Sequence, residues 1–372
     1  MKAFEGKIVH GNTFNTSDII NMNNNTENKK IEMLHGGDVY RNEVRLDFSV
    51  NLNPYPMPSG VTEAIRAGMH EINQYPDPAQ KKLRERIAKL ESMEPENIVC
   101  GNGASELLMA AVHAVMLRKA LITAPCYAGY AVALKASDAE VTEYLLDEKN
   151  DFAVDEGILD QITDEIDMLF IADPNNPNGR LIEPALKKAI IEKCEECGAV
   201  PVIDECFYPL TAEGAEGGAV TDKALHLRAF TKTFAIPGIR IGYMLSNDTE
   251  LLDRIRKHLP EWNVSRIAER TGEAAAKVLE STDYLKDSVR MIEQEREYLA
   301  GQLERLGIKV YRSDTNYLLI KSRSGLYERL LERGILIRRC ANFSGLDDTY
   351  FRIAVRKHDD NAELINVLSK VL

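Results

Sequence analysis

LRAFTKTFAIPGIRIGYMLS, residues 227–246, reads as two apolar strands around a Pro-Gly turn. LRAFT and RIGYMLS are the strands. Between them, Thr231-Lys232-Thr233-Phe234-Ala235-Ile236-Pro237-Gly238-Ile239-Arg240 carries one lysine and, eight residues on, one arginine, tied by a Pro-Gly turn. A lysine at a strand end can bond covalently to a carbonyl. An arginine at a fixed distance is a planar, two-pronged donor suited to a phosphate.

The surrounding chain has the same character. VTEAIRAGMHEI and KKLRERIAKLESM read as amphipathic helices. NIVC is a short strand entering a Gly101-Asn102-Gly103 turn and the helix ASELLMAAVHAVML. ALITAP, AEVTEYLL, MLFIAD and VPVID are further strands, and EPALKKAIIEKCEECG is a helix with its stop at Gly198. Helices interleaved with short buried strands predict an α/β fold, a mostly parallel sheet covered on both faces. Past residue 255 the style changes to long charged helices such as TDYLKDSVRMIEQEREYLAGQLERLG and to short strands IKVYRS, NYLLIKS, ILIRRC and YFRIAVR. The expected organisation is an Asn-rich mobile arm (1–34), a segment joining the small domain (35–60), a large domain (61–255) and a small α+β domain (256–372).

Composition narrows the function. The 372 residues have a formal net charge of -12, with 44% hydrophobic and 28% charged residues. That balance describes a globular protein with no nucleic-acid face. No stretch approaches a membrane span, and MKAFEGKIVHGNTF has no apolar leader. The six cysteines lack a framework spacing and read as reduced cytoplasmic thiols. Cys194-x-x-Cys197 has no second pair and no neighbouring histidine, so no metal site is expected.

In open α/β sheets, ligands sit at the carboxyl ends of strands. Asp204 ends VPVID, Lys232 ends LRAFT, and Asn176 follows MLFIAD in Pro174-Asn175-Asn176-Pro177-Asn178-Gly179. Ala104 and Ser105 start a helix whose free N–H groups suit a phosphate. Tyr127 can stack on a flat ring. The set suits pyridoxal 5'-phosphate, which offers one aldehyde and one phosphate.

Taken together, these motifs resemble the fold-type I pyridoxal-phosphate enzymes of aminotransferase class I/II, across residues 35–372. The resemblance implies a large domain with a mostly parallel sheet between helices and a smaller α+β domain. It implies Lys232 as the Schiff-base lysine, Asp204 as partner of the ring nitrogen, Asn176 as partner of the ring oxygen and Tyr127 as the stacking aromatic. Ala104, Ser105, Thr231 and Arg240 would form the phosphate cup. Tyr75, in Asn73-Gln74-Tyr75-Pro76-Asp77, would reach the cofactor phosphate of a neighbouring subunit, implying a homodimer with shared sites. Phe207 departs from the tyrosine that many relatives carry there, and Asn178 stands where threonine is commoner.

Within the family the chain is most similar to the branch of histidinol-phosphate aminotransferases and L-threonine-O-3-phosphate decarboxylases of cobalamin synthesis. Leu34-His35-Gly36-Gly37-Asp38, Asp47-Phe48-Ser49-Val50-Asn51-Leu52-Asn53-Pro54, Phe207, Ile337-Arg338-Arg339-Cys340-Ala341-Asn342-Phe343 and Arg352-Ile353-Ala354-Val355-Arg356 resemble the decarboxylases more. Arg352 is then expected to clamp a carboxylate, Arg338 and His35 the substrate phosphate, and Asn53 to line the same pocket. Arg356 is read as structural. The expectation is a decarboxylase of phosphothreonine or phosphoserine, with an aminotransferase of the histidinol-phosphate type as alternative. A regulator's binding domain would need an attached DNA-binding module, for which residues 1–34 are too short.

Overall fold

A computed structural model describes residues 36–218 and 220–372. The Asn-rich arm and His35 lie outside the described residues. The elements begin β1 (Leu46–Asp47), α1 (Ser59–Met69), α2 (Lys81–Glu91), β2 (Ile98–Gly101), α3 (Ala104–Ala114), β3 (Lys119–Ala124), α4 (Ala128–Lys135) and β4 (Glu140–Leu145). They continue with β5 (Met168–Ala172), α5 (Pro184–Cys197), β6 (Val200–Asp204), α6 (Ala212–Glu216), β7 (Leu225–Ala229), α7 (Phe230–Thr233), β8 (Gly242–Leu245), α8 (Thr249–Arg256), α9 (Arg266–Ser281) and α10 (Tyr284–Arg305). The last are β9 (Lys309–Val310), β10 (Tyr317–Lys321), α11 (Leu326–Leu331), β11 (Ile335–Leu336), β12 (Arg338–Arg339), β13 (Tyr350–Ala354) and α12 (His358–Val371).

Seven strands form one sheet in the order β2-β8-β7-β6-β5-β3-β4. All neighbours are parallel except those of β8, which runs antiparallel to both β7 and β2. The interior strand β5 is buried at every position, as a strand covered on both faces must be. One cluster, including Leu107, Leu108, Leu251 and Leu252, packs α3 and α8 against Phe170 and Met244. Another, including Ile190, Ile191 and Cys194, packs α5 against Leu169 and Ile203. Helix α5 shows why these residues form a helix. The Glu183 side chain caps the Leu186 N–H, Pro184 occupies the first turn, and Gly198 leaves in the left-handed region at φ 75°.

The C-terminal strands make a separate antiparallel sheet, β12-β13-β10-β9, and β1 pairs with β11 in a parallel two-stranded ribbon. ILIRRC, expected as one strand, is therefore split. Leu336 is in register with Asp47 and Arg338 with Arg352, so the chain changes partners at Ile337. A second correction concerns LRAFT. The ladder of β7 ends where Ala229 meets Gly242, and residues 230–233 then form a helical turn. Lys232 thus sits in that turn, three residues beyond the strand. Arg352 lies inside β13, within the expected strand YFRIAVR.

Candidate active site

Because β5, β6 and β7 are parallel neighbours, their carboxyl ends lie side by side. Ala172 is in register with Asp204, and Asp204 with Leu227. The loop after β5, the tip of β6 and the turn after β7 therefore open on one cavity of about 220 Å³. Its lining includes Ala104, Ser105, Tyr127, Asn176, Asp204, Thr231, Lys232, Arg240, Arg338 and Arg352, ten of the thirteen candidates.

One end of the cavity is a cup built on glycine. Since β8 runs antiparallel between β7 and β2, Arg240 at its start is brought to the turn leaving β2. Gly242 pairs with Gly101, and a Cβ on Gly242 would lie 2.9 Å from the Ala104 nitrogen. Gly103 has φ 80°, and a Cβ there would lie 2.3 Å from Arg240 Nη2. Arg240 itself is in the left-handed region, φ 61°, and makes no salt bridge among the described residues; Nη1 donates to Pro237 O at 3.1 Å. Free N–H groups at the start of α3 and this guanidinium face the same point, which suits a phosphate.

At the middle of the cavity, Asp204 accepts from the Cys206 N–H at Oδ1 (3.0 Å) and from Tyr130 Oη at Oδ2 (2.7 Å). Burial, then the Arg352 guanidinium, hold the Lys232 amine below its ordinary value. Lys232 Nζ stands 5.8 Å from the Phe207 ring centre. Burial pushes the Tyr127 phenol up, against a smaller downward pull from Ser105. The Asn-Pro turn is internally braced. Asn175 Nδ2 donates to Asn178 Oδ1, and Asn178 Nδ2 to the Asp151 and Phe152 carbonyls, so Asn178 holds the loop that presents Asn176.

The far end is cationic. Arg352 is 7% exposed. Its Nη1 donates to Asn176 Oδ1 (2.5 Å), its Nη2 to Ser49 O (2.9 Å), and its plane lies 5.5 Å from the centre of the Tyr317 ring. No carboxylate among the described residues pairs with it, and its Nε has no partner. Arg338, also buried, donates to Arg339 O (2.6 Å) and Asn342 Oδ1 (2.7 Å) and packs against Phe343.

Two candidates lie elsewhere. Asn53 is buried but does not line the cavity. Its Nδ2 is engaged by Thr233 O (2.8 Å), Ser288 Oγ (2.9 Å) and Tyr284 Oη (3.2 Å), and its N–H donates to Lys232 O. It clips the lysine turn from behind. Tyr75 is 81% exposed, its ring tilted 39° against Trp262. Sequence reasoning missed Asn51 and Tyr130. Asn51 lines the cavity, 2% exposed, with neither amide atom partnered. Tyr130 follows Tyr127 by three residues, a helical spacing that could have exposed it. No group of three metal-ligating side chains occurs among the described residues, nor a helix long and apolar enough to cross a membrane.

Residues 43–368 match the family described as aminotransferase class I and II. A threonine-phosphate decarboxylase of Salmonella typhimurium is 33% identical over 88% of this chain and 91% of its own length. A histidinol-phosphate aminotransferase of Thermoanaerobacter pseudethanolicus is 30% identical over 94% and 99%. Among solved structures, the histidinol-phosphate aminotransferase from Clostridium acetobutylicum superposes with a TM-score of 0.80, at 33% identity over 88% and 98%.

Proposed function

The chain belongs to the aminotransferase class I and II family, and from that premise we propose that it is a pyridoxal-phosphate enzyme that decarboxylates a phosphorylated amino acid, phosphothreonine or phosphoserine. The observation that carries the reading is Arg352, a buried guanidinium facing the cavity with no carboxylate partner and an orphaned Nε. A buried unpaired cation is costly, so an anionic ligand is the natural counterpart. Arg338 is in register with it on the adjacent strand. A substrate carrying both a carboxylate and a phosphate would use two cationic anchors, whereas histidinol phosphate carries one anion.

The residues present fit pyridoxal phosphate. Ala104, Ser105, Thr231 and Arg240 would hold its phosphate in a cup that a Cβ on Gly103 would fill. Lys232 would hold its aldehyde carbon, Asp204 its ring nitrogen, Asn176 its ring oxygen and Tyr127 one face. When bound, the group supplies an electron-accepting ring next to the substrate Cα. Asp204, held by the Cys206 N–H and Tyr130 Oη, would accept from the ring nitrogen. Arg352 and Arg338 fix the rotation of the substrate about its nitrogen, which decides whether a proton or the carboxylate leaves Cα. The Lys232 amine, held below its ordinary value by burial and Arg352, is suited to deliver a proton to Cα after carbon dioxide departs. Asn51 would donate and accept on the substrate side, its amide having no protein partner. Phe207 has no hydroxyl to donate to the ring oxygen.

Residues 35–60 and 256–372 would form the smaller domain in this reading. Exposed Met69, Ile72, Tyr75 and Trp262 would lie at a homodimer contact that completes the site. The second reading, transamination of histidinol phosphate, is favoured by the 33% identity to the Clostridium acetobutylicum aminotransferase. A product assay with phosphothreonine, phosphoserine and histidinol phosphate, with and without 2-oxoglutarate, separates the two. Carbon dioxide release independent of the oxoacid is the expected result. Glutamate formation that requires the oxoacid would replace decarboxylation with transamination.

A further inference from the structure

Tyr130 is fully buried, and among the described residues its hydroxyl has a single hydrogen-bond partner, Asp204 Oδ2 at 2.7 Å. Its ring is locked on two sides, stacked on Phe170 (5.6 Å between centres) and edge-on to Tyr127 (5.5 Å). The second Asp204 oxygen takes the Cys206 N–H. Each Asp204 oxygen is therefore held by one protein donor, and all three residues line the cavity. Burial, then the charge of Asp204, push the Tyr130 phenol well above its ordinary range, so it stays protonated and can only donate to this carboxylate. Cys206, Lys232, Tyr127 and Tyr317 are the other titratable groups that feel Asp204.

We propose that Tyr130 is a positioning residue that holds the Asp204 carboxylate ionised and aimed, so that a bound ring nitrogen, rather than Asp204, carries the proton the two share. The inference rests on the pyridoxal-phosphate reading above. A donor hydrogen bond to the charged form of a carboxylate favours that form, and in a dry site nothing replaces it. Removing such a bond to a charged group shifts the proton toward Asp204 by about ten- to a hundredfold.

The test is the nitrogen-15 resonance of ring-labelled pyridoxal phosphate bound to wild type, Tyr130→Phe, Phe170→Leu and Asp204→Asn. Asp204→Asn marks a ring nitrogen without its anionic partner. Tyr130→Phe is expected to move the resonance toward that position. Phe170→Leu loosens the stacking but keeps the hydroxyl, and is expected to stay near wild type. A Tyr130→Phe resonance coincident with wild type, or equal movement in both variants, overturns the proposal. If Tyr130→Phe does not fold, 3-fluorotyrosine placed at position 130, a near-isosteric and stronger donor, is expected to move the resonance away from Asp204→Asn; no movement overturns the proposal equally. Failure of wild type to bind the labelled cofactor would instead sink the pyridoxal-phosphate reading itself.

Discussion

Replacing Gly103 with alanine tests the phosphate cup at its tightest point. Gly103 has φ 80° and ψ 168°, a region essentially reserved for glycine, so the alanine backbone alone costs about 1–3 kcal/mol. The new Cβ would also lie 2.3 Å from Arg240 Nη2 and 2.9 Å from Cζ. The side chain is flexible at that end, so the guanidinium yields, by about 1 Å to regain ordinary contact. A phosphate held by Arg240 would then lose or stretch a charge-assisted hydrogen bond, worth about 1.5–3 kcal/mol. At 1.4 kcal/mol per tenfold, the dissociation constant for pyridoxal phosphate rises about ten- to a hundredfold. The assay is titration of the cofactor-free protein with pyridoxal phosphate and, separately, with pyridoxal. The weakening is expected for the phosphorylated form alone. Equal weakening of both, or a pyridoxal phosphate affinity within about twofold of wild type, would refute the placement of the phosphate.

Four further outcomes are expected. Lys232→Ala should abolish the visible absorption band of bound cofactor; a band that survives and can be reduced by borohydride would remove Lys232 from its role. Asn51→Ala should raise KM with little loss of stability, because its amide has no protein partner, whereas Asn53→Ala should cost about 1–3 kcal/mol in a denaturant melt by unclipping the lysine turn; reversed phenotypes would exchange their assignments. His226 lies 3.1 Å from Glu205 and 2.9 Å from Asp222; burial lowers its affinity for a proton, but the two carboxylates outweigh burial and push it up to about 9. The stability it contributes is complete below pH 6.5 and lost as pH rises through about 9, so denaturant melts across that window should fall in wild type and fall less in His226→Gln; parallel profiles would show that His226 does not carry the effect. Light scattering at assay concentration should find a dimer, and Tyr75→Phe should mainly weaken cofactor retention; a fully active monomer would end the shared-site reading.

Much of the site was legible because backbone demands constrain sequence. The glycine turn, the Asn-Pro turn and the run from Lys232 to Arg240 mark strand ends of a parallel sheet, where ligands collect. What remained hidden depends on side-chain satisfaction. SVNLN offers two asparagines on an extended stretch, and only the packing shows that Asn53 spends its amide on Thr233 and Ser288 while Asn51 spends none. The end of LRAFT was misplaced because helical and extended readings of AFTK differ only through the ladder partner Gly242. The split of ILIRRC likewise depends on partners some 290 residues away, near Asp47, which local periodicity does not encode.

The cavity is stitched from distant stretches: Arg352 donates to Asn176 across 176 positions and to Ser49 across 303. During synthesis the chain would therefore complete the seven-stranded sheet, with Lys232 and Arg240 in place, long before Arg352 emerges to close the far wall. Such non-local closure comes late in folding. A chain still on the ribosome would display Lys232 without the wall that Arg352 supplies. In the proposed reading, a ligand that needs Arg352 would bind only after the last strand has docked.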